Sequence, residues 1–210
     1  MRHWLIILLV AFLTGATSLI ADITYCPTNF ILGDVWVPQP DELFSLDMDA
    51  NGTVDFSLAA GNYYFSGIHA ESENKYLILP SLPPNIGGRV AALGSGYLIG
   101  SNSGESNPEE WFGSDNYSSF IRILDTGKYG EFYESHGYVG LEFDSEDGTH
   151  YGWLEIEGLT HSSSIRIYGW AYESTSGVGI VAGAIPEPSS GILFTIGAIG
   201  AWTLRKRKFR

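Results

Sequence analysis

The chain lacks several features on which other protein classes depend. One cysteine in 210 residues cannot form an internal disulfide. Basic residues are scarce between the two ends, since residues 22–188 hold five of them against all 24 acidic residues, a net charge of −19. Such a surface offers no cations to displace the counterions of a phosphate backbone, which excludes nucleic acid as a partner.

Residues 22–184 also show no sustained helical periodicity. Short runs rich in Val, Ile, Tyr, Phe and Trp alternate with clusters of Gly, Ser, Asn and Asp, which is typical of antiparallel all-β domains. No repeat or low-complexity linker divides this region, so we predict one domain. We expect an antiparallel β-sandwich, with a barrel-like sheet as the alternative. Strands are predicted at 41–46, 54–59, 62–69, 75–79, 88–93, 97–101, 120–124, 138–143, 149–157, 164–172 and 179–182, with a long polar loop at 102–119.

The N-terminus has the layout of a secretory signal peptide. Arg2 and His3 precede an apolar run at 4–13, and small residues follow as far as Ala21. The run is too short for an ordinary membrane-spanning helix. We therefore predict a signal helix within residues 1–21, cleaved after Ala21 or, as the alternative, after Ser18, and an exported mature chain.

The C-terminus combines a second apolar run with a group of cations. Residues 191–204 are apolar apart from two threonines, and with two preceding serines a helix of about 16 residues reaches roughly 24 Å. That length is marginal for a hydrocarbon core of about 30 Å, and the flanking cations can extend to the interface. We predict a short transmembrane helix that anchors the chain in a membrane. A basic end follows, which holds the C-terminus in the cytoplasm: Arg205, Lys206, Arg207, Lys208 and Arg210.

The segment that introduces this helix carries a recognisable motif. Pro186, Glu187 and Pro188 stand before the apolar run and the basic end, and the whole of residues 185–210 resembles the PEP-CTERM sorting signal of Gram-negative bacteria. The resemblance implies that an exosortase, an integral membrane protease, recognises the tripeptide and removes the helix. It further implies transient anchoring in the inner membrane and then delivery to the cell surface or extracellular matrix, often in species that make exopolysaccharide. The two prolines would keep the tripeptide extended and accessible.

Three strands near the C-terminus of the predicted domain are rich in aromatic residues. Turn residues at 144–148 and 158–163 predict a three-stranded meander. One register places Glu155 opposite Arg166. The same register places Trp153 opposite Tyr168 and Tyr151 opposite Trp170. It places four large aromatics on one face: Tyr151, Trp153, Tyr168 and Trp170. Such a face can bind a glycan or form part of the core, and we favour the core because a domain of this size rarely leaves its largest aromatics in water.

The stretch LDMDANGTVDFSL predicts a calcium loop. Asp47, Asp49, Asn51 and Asp55 occupy positions one, three, five and nine of an EF-hand-like pattern, and Thr53 would offer its carbonyl oxygen. The bidentate acid expected at position twelve is absent, because Leu58 stands there. The alternative is an Asn-Gly hairpin turn with solvated aspartates. The sequence leaves both interpretations open.

A catalytic interpretation has less support. Glu142, Asp144 and Glu146 resemble the E-x-D-x-E motif of laminarinase-like glycoside hydrolases, but Ser145 replaces an apolar residue and an Asp-Gly turn signal follows. We expect an acidic turn instead. His69, His136, His150 and His161 show no metal-ligand spacing, and we expect no enzymatic activity.

Two functions from different classes follow from these features. The first is a non-enzymatic surface or matrix protein that is sorted by its tail, with the loop at 47–55 as its candidate calcium site. The second is a carbohydrate-binding or glycoside-hydrolase-like module that acts on an extracellular polysaccharide through the four aromatics and the carboxylates of Glu142 and Glu155. A buried aromatic face would favour the first function, and an exposed one would favour the second.

Overall fold

The computed structural model describes residues 22–33, 42–61, 65–79, 88–105, 108–113, 117–124, 127–160 and 163–186. These residues form strands and no helix. The strands are β1 (Ile23–Leu32), β2 (Glu42–Leu46), β3 (Phe56–Gly61), β4 (Phe65–Ala70), β5 (Lys75–Leu79), β6 (Arg89–Val90), β7 (Leu98–Ile99), β8 (Glu110–Phe112), β9 (Ser118–Leu124), β10 (Gly127–Tyr129), β11 (His136–Ser145), β12 (Gly148–Gly158), β13 (Ile165–Glu173) and β14 (Ile180–Val181).

Twelve of the strands belong to one sheet. Their order is β1-β13-β12-β11-β5-β6-β9-β4-β3-β2, with β10 on β9 and β8 on β5, and all pairs are antiparallel except β6 with β9. β1 and β2 end this order, yet β1 also contacts β2 and β3. The sheet therefore curls until its two ends approach each other, as in a nearly closed barrel.

The all-β prediction is confirmed, but our first choice of two stacked sheets is wrong. Register shifts interrupt the pairing of β1 with β13, of β12 with β13 and of β4 with β9. Such bulges bend the strands and increase their twist. The bending lets one continuous sheet close on itself, so the barrel-like alternative describes the fold.

The interior of this sheet holds the larger hydrophobic cluster. β11 contributes Val139, Leu141 and Phe143 from the same face, as predicted, and β12 contributes Leu154 and Ile156. All five side chains are essentially inaccessible to water. Burial of each such side chain contributes about 1.5–3 kcal/mol to folding.

A second cluster covers the outer face of β5, β12 and β13. The small sheet of β7 and β14 lies over this face. Residues of the large sheet and of the small sheet both contribute to the cluster. They are Leu77, Ala91, Leu93, Ile99, Tyr151, Trp153, Ala171, Ile180 and Ala182. The domain is therefore two layers thick on this side.

Sequence patterns missed three strands and lengthened others. β1 contains Pro27, which removes a ladder donor and usually marks an edge or a bulge, and the register shift of β1 does begin at this residue. β8 lies in the segment predicted as a long loop, and β10 follows β9 as a short hairpin partner. Of the predicted strand 97–101 only Leu98–Ile99 pairs as a strand.

Several predictions fall on residues that the structure does not describe. These are the signal helix at 1–21, Glu187 and Pro188 of the tripeptide, the apolar run at 191–204 and the basic end. Among the described residues, no helix is long and apolar enough to span a bilayer.

Candidate functional site

The predicted calcium loop connects β2 to β3. The two strands pair up to Leu46 opposite Phe56, so the connection spans residues 47–55 and is wider than a two-residue Asn-Gly hairpin. Ala50 and Gly52 adopt positive φ values of 59° and 92°, which turn the chain back over itself. The tight-hairpin alternative is therefore wrong, and the loop curls around its own acidic side chains.

Three of the predicted ligands converge. One carboxylate oxygen each from Asp47, Asp49 and Asp55 lies within 4.8 Å of the others. Main-chain amides fix two of these carboxylates, since Asp47 accepts hydrogen bonds from Asn51 N at 3.1 Å and Gly52 N at 2.8 Å, and Asp49 accepts one from Asn51 N at 3.1 Å. Hard oxygens around a tight turn are the ligands that calcium prefers.

Asp55 is the buried member of the cluster, with 3% of its surface exposed. Its Oδ2 accepts a hydrogen bond from Met48 N at 2.8 Å, and its Oδ1 accepts one from Asn74 Nδ2 at 3.1 Å. Burial raises the pKa of the Asp55 carboxyl, the Met48 amide lowers it, and the negative charge of Asp49 raises it further. A cation beside the cluster would offset that repulsion.

Asn51, the fourth side chain of the predicted ligand set, is already engaged within the loop. Asn51 Oδ1 accepts a hydrogen bond from Thr53 N at 2.7 Å, and its Nδ2 donates to Asp49 Oδ2 at 3.0 Å. The loop therefore supplies three converging carboxylates and an amide side chain that orients one of them. Calcium binding stays a prediction.

Residues distant in sequence support the loop, and no sequence pattern indicated them. Ser145 Oγ donates to Asp49 Oδ2 at 2.6 Å, and Asn74 Oδ1 accepts a hydrogen bond from Asp144 N at 3.0 Å. Asn74 thus connects Asp55 to the β11–β12 hairpin. Only the folded sheet brings these segments together, because the residues of the first pair are 96 positions apart.

The predicted aromatic face does not form. β12 and β13 pair Glu157 with Arg166 and Trp153 with Ala171, and the register shift falls at Glu155 and Ile156, opposite Gly169 and Ile167. Tyr168 is the extra residue between those two partners. The bulge reverses the faces of β13 beyond it, so the proposed register is wrong.

Trp170 lies on the opposite side of the sheet from Trp153 as a result. Trp170 packs against the interior cluster, with its ring centroid 6.1 Å from that of Phe44. Trp153 belongs to the outer cluster beneath the small sheet. The prediction that these two tryptophans share one face is therefore wrong.

The two aromatics of β12 are buried beneath the outer layer. Tyr151 exposes 5% of its surface and Trp153 exposes 1%. Trp153 Nε1 donates to the carbonyl oxygen of Ala184 at 3.2 Å, and its ring lies 5.3 Å from that of Tyr138. These side chains pack as a core, so they cannot offer a flat exposed platform to a sugar.

Tyr168 and the carboxylates nearby form a polar group on the outer surface. Tyr168 donates its hydroxyl proton to Glu157 Oε2 at 2.6 Å, and Arg166 Nε lies 3.9 Å from the same oxygen. The hydrogen bond to Glu157 raises the pKa of the Tyr168 hydroxyl. Glu155 lies 2.8 Å from His136 Nε2, so the predicted partner of Arg166 is wrong and its place is taken by Glu157.

The acidic triplet of β11 is divided between a strand and a turn. Glu142 lies 2.6 Å from Lys75 Nζ, Asp144 accepts a hydrogen bond from Thr149 Oγ1 at 2.8 Å, and Glu146 is exposed in the turn. The hairpin turn is confirmed at Glu146 and Asp147, although Asp144 remains in the strand, contrary to our expectation. The hydrogen bond to Glu142 raises the pKa of the Lys75 ammonium group.

The end of the described domain leads directly into the predicted sorting segment. Ala182 is buried and Ala184 accepts the Trp153 hydrogen bond, whereas Ile185 is 52% exposed and Pro186 is exposed. The described residues thus form a barrel-like all-β domain whose packing ends at Ala184.

Comparison with known proteins identifies the segment that follows. Residues 184–208 match the family model described as the PEP-CTERM protein-sorting motif. Neither the curated proteins nor the solved structures give a significant match to the chain. The motif implies an exported protein that is processed at the membrane and sorted through recognition by an exosortase.

Proposed function

We propose that this is a non-catalytic cell-surface or extracellular-matrix protein of a Gram-negative bacterium. In this proposal the C-terminal helix anchors the exported chain in the inner membrane until an exosortase processes it near Pro186, Glu187 and Pro188. The barrel-like domain is then the cargo delivered to the surface. The sorting motif at 184–208 is the observation that carries the proposal.

The junction between domain and motif supports this order of events. The Trp153 side chain holds Ala184 against the domain, and the chain becomes exposed at Ile185 and Pro186. Prolines disfavour helix in themselves and in the residue before them. A membrane protease would therefore meet an extended segment without having to unfold the barrel.

The aromatic packing and the charge distribution also favour a structural role over glycan chemistry. Tyr151 and Trp153 lie beneath the outer layer, and Glu142 is paired with Lys75. The domain carries most of the negative charge of the chain, which promotes solubility and repels other copies. The calcium loop would bring a cation to this surface in a secreted environment rich in calcium.

The mature C-terminus in the native host tests the proposal. We expect mass spectrometry of the surface-delivered protein to show a chain that ends near the tripeptide, and the Glu187→Ala variant to retain its full C-terminus. Glu146→Ala, which removes an exposed carboxylate in the β11–β12 turn, is the matched control and should be processed normally. An intact Arg210 on surface-delivered wild-type protein would contradict exosortase processing.

A further inference from the structure

Glu173, the last residue of β13, is a buried carboxylate with an incomplete set of partners. It exposes 1% of its surface, and its Oε2 has no hydrogen-bond partner among the described residues. Its Oε1 accepts hydrogen bonds from the main-chain nitrogens of Asp22 and Thr175, both at 3.1 Å. Burying a carboxylate without a cation is unfavourable, so a cationic partner would stabilise this arrangement.

No side chain in the described part of the chain supplies that cation. The ion pairs of its lysines, arginines and histidines all involve other carboxylates. The imidazole of His150 is close, but its Nδ1 donates to the main-chain oxygen of Glu173 at 2.9 Å and its Nε2 faces Asp147 Oδ1 at 2.8 Å. The carboxylate of Glu173 is therefore left with main-chain donors alone.

The sheet holds Asp22 beside this carboxylate. Ser174 N donates to Asp22 O at 2.9 Å, and the next residue, Ile23, pairs with Glu173 in the register of β1 with β13. The main-chain nitrogen of Asp22 is thus placed by the fold itself. It is also the nitrogen that becomes the chain terminus if the signal peptide is cleaved after Ala21.

We propose that Glu173 is the binding site for the N-terminal ammonium group of the mature chain. Cleavage adds water across the peptide bond between Ala21 and Asp22, so that Ala21 leaves with a carboxylate and Asp22 keeps an amino group. That group has an ordinary pKa of about 7.7–8.0 and is an ammonium ion at neutral pH. One amide donor next to Glu173 is thereby replaced by a cation with three donors, which can serve both carboxylate oxygens.

Removal of the leader then stabilises the folded domain. The inference rests on export of the chain and on cleavage after Ala21. In the precursor, the Asp22 nitrogen offers one neutral donor and Glu173 Oε2 stays unpartnered. In the mature chain, the new ion pair joins the start of β1 to the end of β13, in a site where water screens it little. The full stability of the barrel is gained only after translocation.

A double-mutant cycle on the exported full-length chain tests this site. The first change inserts one alanine between Ala21 and Asp22, which moves the ammonium about 3.5 Å along the chain; the second is Glu173→Gln. Each mature N-terminus is verified by mass spectrometry before thermal unfolding is measured. Asp22→Asn is the control, because it removes a side-chain charge and leaves the terminal ammonium in place.

We expect wild-type protein to begin at Asp22 and the insertion to lower its melting temperature by on the order of 5 °C. In the Glu173→Gln background the insertion should have little effect, because the charge that binds the ammonium is absent. Asp22→Asn should melt within about 2 °C of wild type. Equal losses from the insertion in both backgrounds would overturn the proposal. So would a mature chain that begins elsewhere, and that result would leave exosortase sorting intact.

Discussion

Trp153 and Trp170 are the same type of residue on neighbouring strands, yet they lie on opposite faces of the sheet. Trp153 packs under the small outer sheet and donates its indole proton to Ala184, whereas Trp170 packs toward the interior beside Phe44. The bulge at Tyr168 separates the two environments. Strand alternation thus predicts which residues share a face only as far as the next bulge.

Truncation of the two tryptophans should give the largest difference between these environments. Trp153→Ala removes a fully buried side chain from between two layers and should lower the free energy of unfolding by about 3–5 kcal/mol. Trp170 is only partly buried, and its truncation should cost about 1–3 kcal/mol. Urea denaturation measures both effects. Trp153→Phe, the conservative control, should lose about 1 kcal/mol for the Ala184 hydrogen bond.

The same variants test the glycan-binding alternative. A sugar platform would make Trp153→Ala as stable as wild type and deficient in retention on a polysaccharide column. We expect the opposite pattern, namely a destabilised protein with unchanged retention. A stable Trp153→Ala protein would show that our assignment of this side chain to the core is wrong.

A second contrast is between the converging carboxylates of the loop at 47–55 and the single exposed carboxylate of Glu146. If Asp47, Asp49 and Asp55 bind calcium, an ion concentration of about five times the Kd adds about 1 kcal/mol of stability. That gain corresponds to a rise in melting temperature of about 2–4 °C. Asp49→Asn should abolish the rise, while Glu146→Gln, an exposed acid in the β11–β12 turn, should keep it.

An equal calcium response in all three proteins would have a different physical origin. Calcium would then only screen the large negative charge of the domain. The comparison therefore separates a specific site from general electrostatics, and magnesium at the same concentration provides an additional control.

The smallest effect is expected at His150, which lies in β12 close to the β11–β12 turn. Burial lowers the pKa of His150, but the hydrogen bonds to the Glu173 carbonyl and to Asp147 raise it more, so the net shift is upward. A raised folded-state pKa gives stability that is fully present below the unfolded value of about 6.5 and is lost as pH rises through the folded value. The free energy of unfolding should fall as pH rises in this window, with a slope that corresponds to less than one proton per molecule.

Asp147→Asn tests the cause of that slope. The variant keeps the shape of the side chain and removes its charge, so the pH dependence above about 6.5 should weaken. Glu146→Gln changes the neighbouring residue of the same turn and should leave the dependence unchanged. Denaturation at several pH values measures the slope, and identical slopes in wild type and Asp147→Asn would refute the assignment to this hydrogen bond.

The sequence by itself determined the local features of the molecule. Punctuation by Gly, Ser, Asn and Asp predicted an all-β domain, and apolar alternation placed Val139, Leu141 and Phe143 on one interior face. The sorting motif was also readable, because its tripeptide, apolar run and basic end are contiguous in the chain. Such features depend on residues that are close in sequence, so their spacing can be measured without the structure.

Only the tertiary structure decided the features that join distant segments. The curl of the twelve-stranded sheet, the outer layer over Trp153 and the contact of Asp22 with Glu173 all connect residues far apart in the chain. A single bulge at Tyr168 changed the register and moved Trp170 to the other face. The period of a strand is two residues, so one inserted residue inverts every side chain beyond it, and no local pattern in this sequence reported that insertion.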